Sequence, residues 1–381
     1  MLQNEISDPM TILQNHWYNF LIKGLGLASD MFQISQPSPP IAPSNDIGLW
    51  SYQNVIPPAS LTFNRCVYSD TLFFNEYVAL VSQIEFPESA FKQIIGKENY
   101  QAWLSFLDKQ NPPPPPNEIP TVFRNWAQRN APSVAQEGTT ALSQMVLIQA
   151  AQQALLPYQG INARPPDFDG NYASLLNILA NSQSRSLSLF DSSKVSDTDN
   201  VQNTWTGGVN FGFNGLWFGS SSDSRLTRRF AASQVTVNTS FNAQTVLTST
   251  PGSWYNSSLL NMAYSNKQTP PWPPKPNPTW EEFFGSDGSL NLFIAALVVV
   301  DEVNATVTSN AIYCETDQQT ILSNTSKGLW PFYVPSSDRV TNTVTFNADN
   351  TMTINTVTQP RNPLVIGHNV LSLARLLGRS A

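Results

Sequence analysis

Histidine is the side chain that most often transfers protons near neutral pH, and this chain has two, His16 and His368. His16 falls in a predicted helix beside Trp17, and His368 lies just before the predicted last helix, so both positions favour structural roles. The sequence has no Gly-x-Ser-x-Gly, Walker, His-Glu-x-x-His or Cys-x-x-Cys motif. We therefore predict a non-enzymatic protein with no catalytic residue, no metal site and no cofactor.

Two carboxylate pairs and two tryptophans are the remaining candidates for chemistry on sugars. Glu281-Glu282 and Asp301-Glu302 are adjacent pairs, whose members point opposite ways on a strand, so a glycosidase pair would need one member from each. Trp272 and Trp280 could stack on sugar rings. These residues define an alternative prediction, a glycan-binding or glycan-active protein.

A charge-free stretch is the strongest pattern in the sequence. From Phe230 to Asn266 there is no Asp, Glu, Lys or Arg, and apolar and polar residues alternate. Because successive strand side chains point to opposite faces, this predicts a long strand over Val235–Leu247. A shorter alternating segment, Val209–Gly219, precedes it, and Arg225, Arg228 and Arg229 lie between the two.

The unit 209–250 is also typical of a membrane-inserting β-hairpin, since each segment has the roughly 9 to 11 residues that a bilayer requires. The three arginines would then contact lipid headgroups. The pattern equally describes a half-buried strand of a β-sandwich. The residues predicted to contact a membrane or a partner are Phe211, Phe213, Trp217, Phe218, Val235, Val237, Phe241 and Leu247.

Helical periodicity dominates the first half of the chain. Asp8-Pro9 predicts the start of a helix whose apolar residues recur as far as Phe32, with a kink near Gly24 and Gly26. Further helices are predicted at Asn75–Ile84, Glu88–Leu107, Val122–Gln128, Glu137–Leu156 and Tyr172–Ala180, and a last one at Val370–Leu377.

Alternation dominates the second half. Beyond the long strand, strands are predicted at Ala296–Val307, Ala311–Tyr313, Val340–Phe346 and Met352–Val357, the last two joined by a turn at Asn347–Asn350. The predicted fold class is α+β, with a mainly helical N-terminal half and an antiparallel β-sandwich-like C-terminal half.

The prolines suggest where these regions divide. Pro112–Pro116 can only form an extended spacer or rigid loop. The predicted organisation is a mainly helical domain over 1–111, a polyproline linker or loop over 112–120, a helical region over 121–203, and a β-rich domain with a short C-terminal helix over 204–381.

Composition narrows the partners. Charged residues make up 12% of the chain against roughly 25% in ordinary soluble domains, and the net charge is −7. This balance gives no basic footprint, so we expect no nucleic-acid partner. The expected partners are a membrane surface, a glycan or a second copy of the chain in a homo-oligomer. No signal peptide is visible, so an extracellular location would need another export route.

Three functions remain as predictions. The first is a non-enzymatic binding or assembly protein of toxin-like character, active on membranes through 209–250. The second is a self-assembling structural component of a particle or surface layer. The third is the glycan-binding or glycan-active protein centred on Trp272 and Trp280.

Overall fold

A computed structural model describes residues 8–65, 71–195, 215–222 and 224–379. The predicted α+β class is confirmed: helices and a mixed β-sheet both make up large parts of the described chain. The chain forms two compact units. The first comprises the described residues of Met1–Thr71, Phe168–Thr250 and Leu292–Leu371, and the second those of Leu72–Asp167, Pro251–Asn291 and Ser372–Ala381. The predicted linker 112–120 lies within the second unit, and the predicted domain boundaries stay predictions.

The α-helices of the described chain are labelled in order. They are α1 (Pro9–Leu25), α2 (Asp46–Gln53), α3 (Phe73–Gln83), α4 (Glu88–Ile95), α5 (Lys97–Leu107), α6 (Ile119–Asn130), α7 (Ala135–Leu155), α8 (Tyr172–Ala180), α9 (Arg225–Ala231), α10 (Ser257–Ser265), α11 (Trp280–Phe284), α12 (Glu315–Asn324) and α13 (Leu373–Leu376). Within the described residues, every helix is too short or too polar to cross a bilayer.

The strands of the described chain all belong to one sheet in the first unit. They are β1 (Phe32–Ser35), β2 (Thr62–Phe63), β3 (Arg185–Ser186), β4 (Phe190–Asp191), β5 (Val235–Thr248), β6 (Leu292–Ser309), β7 (Val340–Phe346), β8 (Met352–Thr358) and β9 (Leu364–Ser372). The main strand order is β2-β1-β9-β6-β5-β3, with β4 beside β5 and the β7–β8 hairpin beside β6. Strand β5 is antiparallel to β3, β4 and β6, β8 is antiparallel to β6 and β7, and β1 is antiparallel to β9 but parallel to β2.

The antiparallel block β5-β6-β8-β7 has one apolar face that belongs to the main core. Val237 pairs with Val307, Val307 with Ile354, and Ile354 with Val344. These side chains share one hydrophobic cluster with α1. Trp17 of α1 has no exposed surface, and its ring lies 5.5 to 5.8 Å from those of Phe190, Trp330 and Phe332.

Four predicted elements differ from the structure. The helix predicted at Glu88–Leu107 is two helices, α4 and α5, separated by Gly96 with a φ of 81°. The first helix does not reach Phe32: it ends at Leu25 because Gly26 adopts a left-handed φ of 69°, and Phe32 starts β1. Val370–Ser372 continue β9, so the last helix is shorter than predicted. Ala311–Tyr313 form no strand. The sandwich arrangement is not confirmed, since the described strands form a single mixed sheet.

The second unit has its own aromatic core. Trp103 and Phe123 pack edge to face at 5.1 Å, and Phe91 meets Phe123 at 5.5 Å. Trp254 contacts Phe73 and other rings near the start of α3. Such pairs stabilise a core beyond the area that they bury.

His368, one of the two candidate proton-transfer residues, is fully buried in β9. It is opposite Gln33 in the sheet, and its ring lies 4.8 Å from that of Phe63. Within the described chain neither ring nitrogen has a hydrogen-bond partner. Burial, with a smaller contribution from the positive charge of Arg65, lowers the pKa of His368 to about 3.

Because the His368 imidazole is buried and neutral, we expect the folded protein to lose stability in mild acid. The unfolded chain protonates His368 below its ordinary pKa of 6.5, whereas the folded chain keeps it neutral down to about pH 3. The unfolded state therefore binds more protons in this window. The stabilisation is full above pH 6.5 and decreases as pH falls, by about 2 kcal/mol between pH 7 and pH 5.

Urea denaturation of the wild type and of His368→Gln at pH 7 and pH 5 measures this loss. The variant should lose about 2 kcal/mol less than the wild type over this interval, whatever its stability at pH 7. An equal loss in both proteins would assign the acid sensitivity to other groups.

Candidate functional site

On the side of the β5-β6-β8-β7 block opposite the core, the part between Asp191 and Glu302 carries no charged residue. We call it the polar sheet face and define it by twelve side chains, three from each strand. All twelve are exposed or half-buried. They are Thr236, Asn238 and Ser240 of β5, Asn304, Thr306 and Thr308 of β6, Thr353, Asn355 and Val357 of β8, and Thr341, Thr343 and Thr345 of β7.

Strand register arranges these side chains in three rows across the sheet. The first row is Thr236, Thr308, Thr353 and Thr345; the second is Asn238, Thr306, Asn355 and Thr343; the third is Ser240, Asn304, Val357 and Thr341. Strands lie about 4.8 Å apart and alternate residues about 6.7 Å apart along a strand. The face is therefore a regular lattice of about 400 Å².

Most polar groups of this face are available to a ligand. Thr236 hydrogen-bonds Thr308 through their hydroxyls, and the Thr306 hydroxyl donates to Asn355 Oδ1 at 2.8 Å. The other side chains make no hydrogen bond to another described residue. Those with a polar group are Asn238, Ser240, Asn304, Thr341, Thr343, Thr345 and Thr353. Hydroxyl and amide groups both donate and accept, so this face can match a dense set of hydroxyls.

Charged groups border the face without entering it. Asp191 of β4 lies beside Thr236, where hydrogen bonds from Ser193 and Gln234 lower its pKa to about 2. At the other end of the strands, Glu302 accepts a hydrogen bond from Asn242 Nδ2 at 2.6 Å. Both carboxylates accept hydrogen bonds from neighbouring side chains, and the twelve side chains between them are uncharged.

The predicted carboxylate pairs have structural partners. Asp301 is buried and accepts hydrogen bonds from the backbone N–H groups of Arg361 at 2.8 Å and Asn362 at 2.9 Å. Burial raises the pKa of Asp301, and these bonds oppose the rise. In the second unit, Glu282 closes a capping box with Thr279, and Glu281 pairs with Lys267 at 3.1 Å. Among the described residues, no group of three or more His, Cys, Asp or Glu side chains is placed to hold a metal ion.

The apolar residues predicted to contact a membrane or partner lie mainly in the core. Val235, Val237 and Phe241 have no exposed surface. Trp217 and Phe218 pack partly buried against the same cluster, and Leu247 is half-buried. Phe211 and Phe213 lie outside the described residues. Membrane contact through β5 stays a prediction, and it would require this strand to leave the sheet.

The arginine cluster neutralises a buried carboxylate. Arg225 and Arg229 both form ion pairs with Asp317 of α12, the second at 2.5 Å, and the Asp317 side chain is only 2% exposed. Burial alone would raise the pKa of Asp317, but hydrogen bonds from Cys314 and Arg225 and the charges of both arginines hold it below its usual value. Arg228 is exposed. Headgroup contact by the three arginines stays a prediction.

The two tryptophans predicted to stack on sugars have protein neighbours in the second unit. Trp272 is 2% exposed and donates to the Ala263 carbonyl at 3.2 Å. Trp280 is half-buried, stacks on Tyr264, and carries the Lys267 ammonium 3.5 Å above its ring. Neither ring is a free platform in this conformation.

The alternation of the long strand predicts an uncharged polar face that includes Thr236, Asn238 and Ser240, but the predicted site residues of this strand are its apolar half, and the other three strands of the face were not predicted to join it. The polar residues of the strands show the same alternation. Thr341, Thr343 and Thr345 recur at every second position, as do Asn304, Thr306 and Thr308. Comparison with protein-family models, with curated proteins and with solved structures finds no match to this chain. Any proposal of function therefore depends on the geometry of the face.

The ion pairs at Asp317 predict unequal effects of the neighbouring arginines. Arg229→Ala should lower the free energy of unfolding by about 1 to 3 kcal/mol, because it leaves a buried carboxylate less well paired. Arg228→Ala, three helix residues away from Arg225, should stay within about 0.5 kcal/mol of the wild type. Urea denaturation at pH 7 measures both. Equal losses in the two variants would contradict this assignment.

Proposed function

We propose that the protein is a non-enzymatic binding protein and that the polar sheet face binds a neutral glycan. The observation that carries this proposal is the charge-free lattice of hydroxyl and amide groups, seven of which make no side-chain hydrogen bond to another described residue. A glycan presents hydroxyls that also donate and accept, so the two surfaces are chemically complementary.

The lack of charge argues against the other expected partners for this face. Phosphate groups of lipids and nucleic acids are bound mainly by Lys and Arg, and none of the twelve side chains is basic. A glycan without charged groups needs no counterion. Hydrogen bonds to such a ligand would add about 0.5 to 1.5 kcal/mol each, so affinity depends on contacting several rows at once.

The size of the face argues against a second copy packed face to face. A stable protein interface buries about 800 Å² on each partner, about twice the area of this lattice. A short glycan segment fits the area better than a protein surface does. Self-assembly of the chain through other surfaces stays a prediction.

A single substitution in the centre of the lattice tests the proposal. Thr306 lies in the middle row on a central strand, so Thr306→Lys places a long charged side chain among the contacts. The control is Thr320→Lys on α12, where the threonine is exposed and lies outside the face. We expect Thr306→Lys to reduce affinity at least about tenfold and Thr320→Lys to retain it.

Binding should be measured first against a panel of insoluble and soluble neutral polysaccharides, with circular dichroism to confirm folding. Retention by one or more polysaccharides that is lost in Thr306→Lys alone supports the proposal. The proposal fails if folded wild type binds none of the panel, or if both variants bind equally well. Binding to anionic liposomes and to no polysaccharide would favour the membrane prediction.

Salt dependence gives an independent prediction. Because the face is neutral, affinity for the polysaccharide should change less than about twofold between about 50 mM and about 500 mM NaCl. Binding through Lys and Arg to phosphates would fall by orders of magnitude over this range. A steep loss of affinity with salt would place the binding site elsewhere on the molecule.

A further inference from the structure

One edge strand of the sheet, β7, has none of the sequence features that usually prevent strand pairing. Strand β7 reads Val-Thr-Asn-Thr-Val-Thr-Phe, with no charge, proline or glycine. Within the described chain it pairs with β8 and with no other named strand. Uncharged strands of this kind readily pair with another chain when their edge is open.

The short strands beside β5 differ from β7. β3 and β4 have two residues each, and β3 includes Arg185, which donates to the Gly24 carbonyl at 2.5 Å. Short and charged edges are common devices against unwanted pairing. The strands beside β5 are therefore protected against pairing by their short length and by charge, whereas β7 is longer and has seven uncharged residues.

Backbone direction shows which groups of β7 face outwards. Gln359 N donates to Arg339 O, and Asn347 N donates to Thr351 O. The odd-numbered residues of β7 therefore form the hydrogen-bonded pairs with β8. Alternation then points the even-numbered backbone groups of β7 away from β8. The outward N–H and C=O groups of Val340 already form hydrogen bonds with the backbone of Ser337. Among the described residues, the outward N–H and C=O groups of Asn342, Val344 and Phe346 have no backbone partner, and the side chain of Asn342 donates to the Val334 carbonyl at 2.8 Å where the preceding loop meets this edge.

We propose that β7 pairs with β7 of a second copy, antiparallel across a two-fold axis at Val344. This register opposes Asn342 to the partner subunit's Phe346 and Val344 to the partner subunit's Val344. It forms six backbone hydrogen bonds without opposing like charges. An antiparallel pair of identical strands is the closed, isologous arrangement that dimers prefer.

The pairing would enlarge the polar sheet face. Thr343 then lies opposite the partner subunit's Thr345 on the same side of the joined sheet, because opposed residues share a face. The lattice continues across eight strands, and its area doubles to about 800 Å². The value of this larger face for glycan binding rests on the function proposed above, whereas the dimer itself does not.

Val344→Pro tests the pairing without changing a side chain of the polar sheet face. Proline removes an outward N–H and is tolerated on edge strands. Val344→Ala removes the same core contact but keeps the N–H, so it is the matched control. Sedimentation velocity without glycan should show reversible dimers for the wild type and for Val344→Ala, and monomers for folded Val344→Pro. A monomeric wild type at high micromolar concentration would overturn the proposal, as would dimeric Val344→Pro.

Cysteine cross-linking tests the register in chains that lack Cys66 and Cys314. Mixing Thr343→Cys with Thr345→Cys should give a disulfide-linked heterodimer, since opposed residues have Cα atoms about 4.5 Å apart. Mixing Thr341→Cys with Thr345→Cys should not, because these positions are diagonal and about 7 to 8 Å apart. Cross-linking of the second pair alone would overturn the register.

Polysaccharide binding separates the two proposals. If the dimer forms but no polysaccharide binds, the pairing holds and the proposed function fails. If both hold, Val344→Pro should bind a long polysaccharide at least about tenfold more weakly than Val344→Ala, through loss of the second half of the face. Equal affinity in these two variants would show that a single copy provides the whole site.

Discussion

The pairing of β5 with β6 is the constraint on which the first unit depends. These strands have 14 and 18 residues, and they pair in one register from Val235 with Ser309 to Thr248 with Ala296. That register puts Val237 and Val307 into the core and Asn238 and Thr306 onto the polar sheet face. A slip of one residue would exchange the two faces, burying amides and hydroxyls against Trp17. Core and candidate site are thus fixed by the same pairing.

Much of the secondary structure could be predicted because it follows from local periodicity. The long strand, the β7–β8 hairpin and most helices lie where alternation or helical spacing places them. The differences occur where tertiary contacts override the local pattern. Phe32 continues the spacing of α1, yet it pairs with Asn369 in the sheet. The residues after His368 have helical spacing, yet β9 carries them on as a strand as far as Ser372.

The candidate site was harder to predict because no single segment contains it. Alternation shows that β5 has two different faces, but it does not show which face the helices cover. The lattice also depends on four strands whose members lie far apart in sequence, such as Thr236 and Thr345. Similarly, Arg225 and Arg229 look solvent-facing in the sequence, whereas their counter-charge, Asp317, comes from a distant helix.

The three rows share uncharged, mostly hydroxyl and amide side chains, and this has a consequence for any polymer that binds them. Each row offers hydroxyl or amide groups at successive steps along the strands, so a repeating ligand would have more than one register in which to bind. If the three registers had equal energy, their multiplicity alone would strengthen the free energy of binding by about 0.6 kcal/mol. Because the rows resemble one another, they would also distinguish poorly between the two directions in which a polymer can lie. Such a surface would hold a polymer while allowing it to shift by one row at a time.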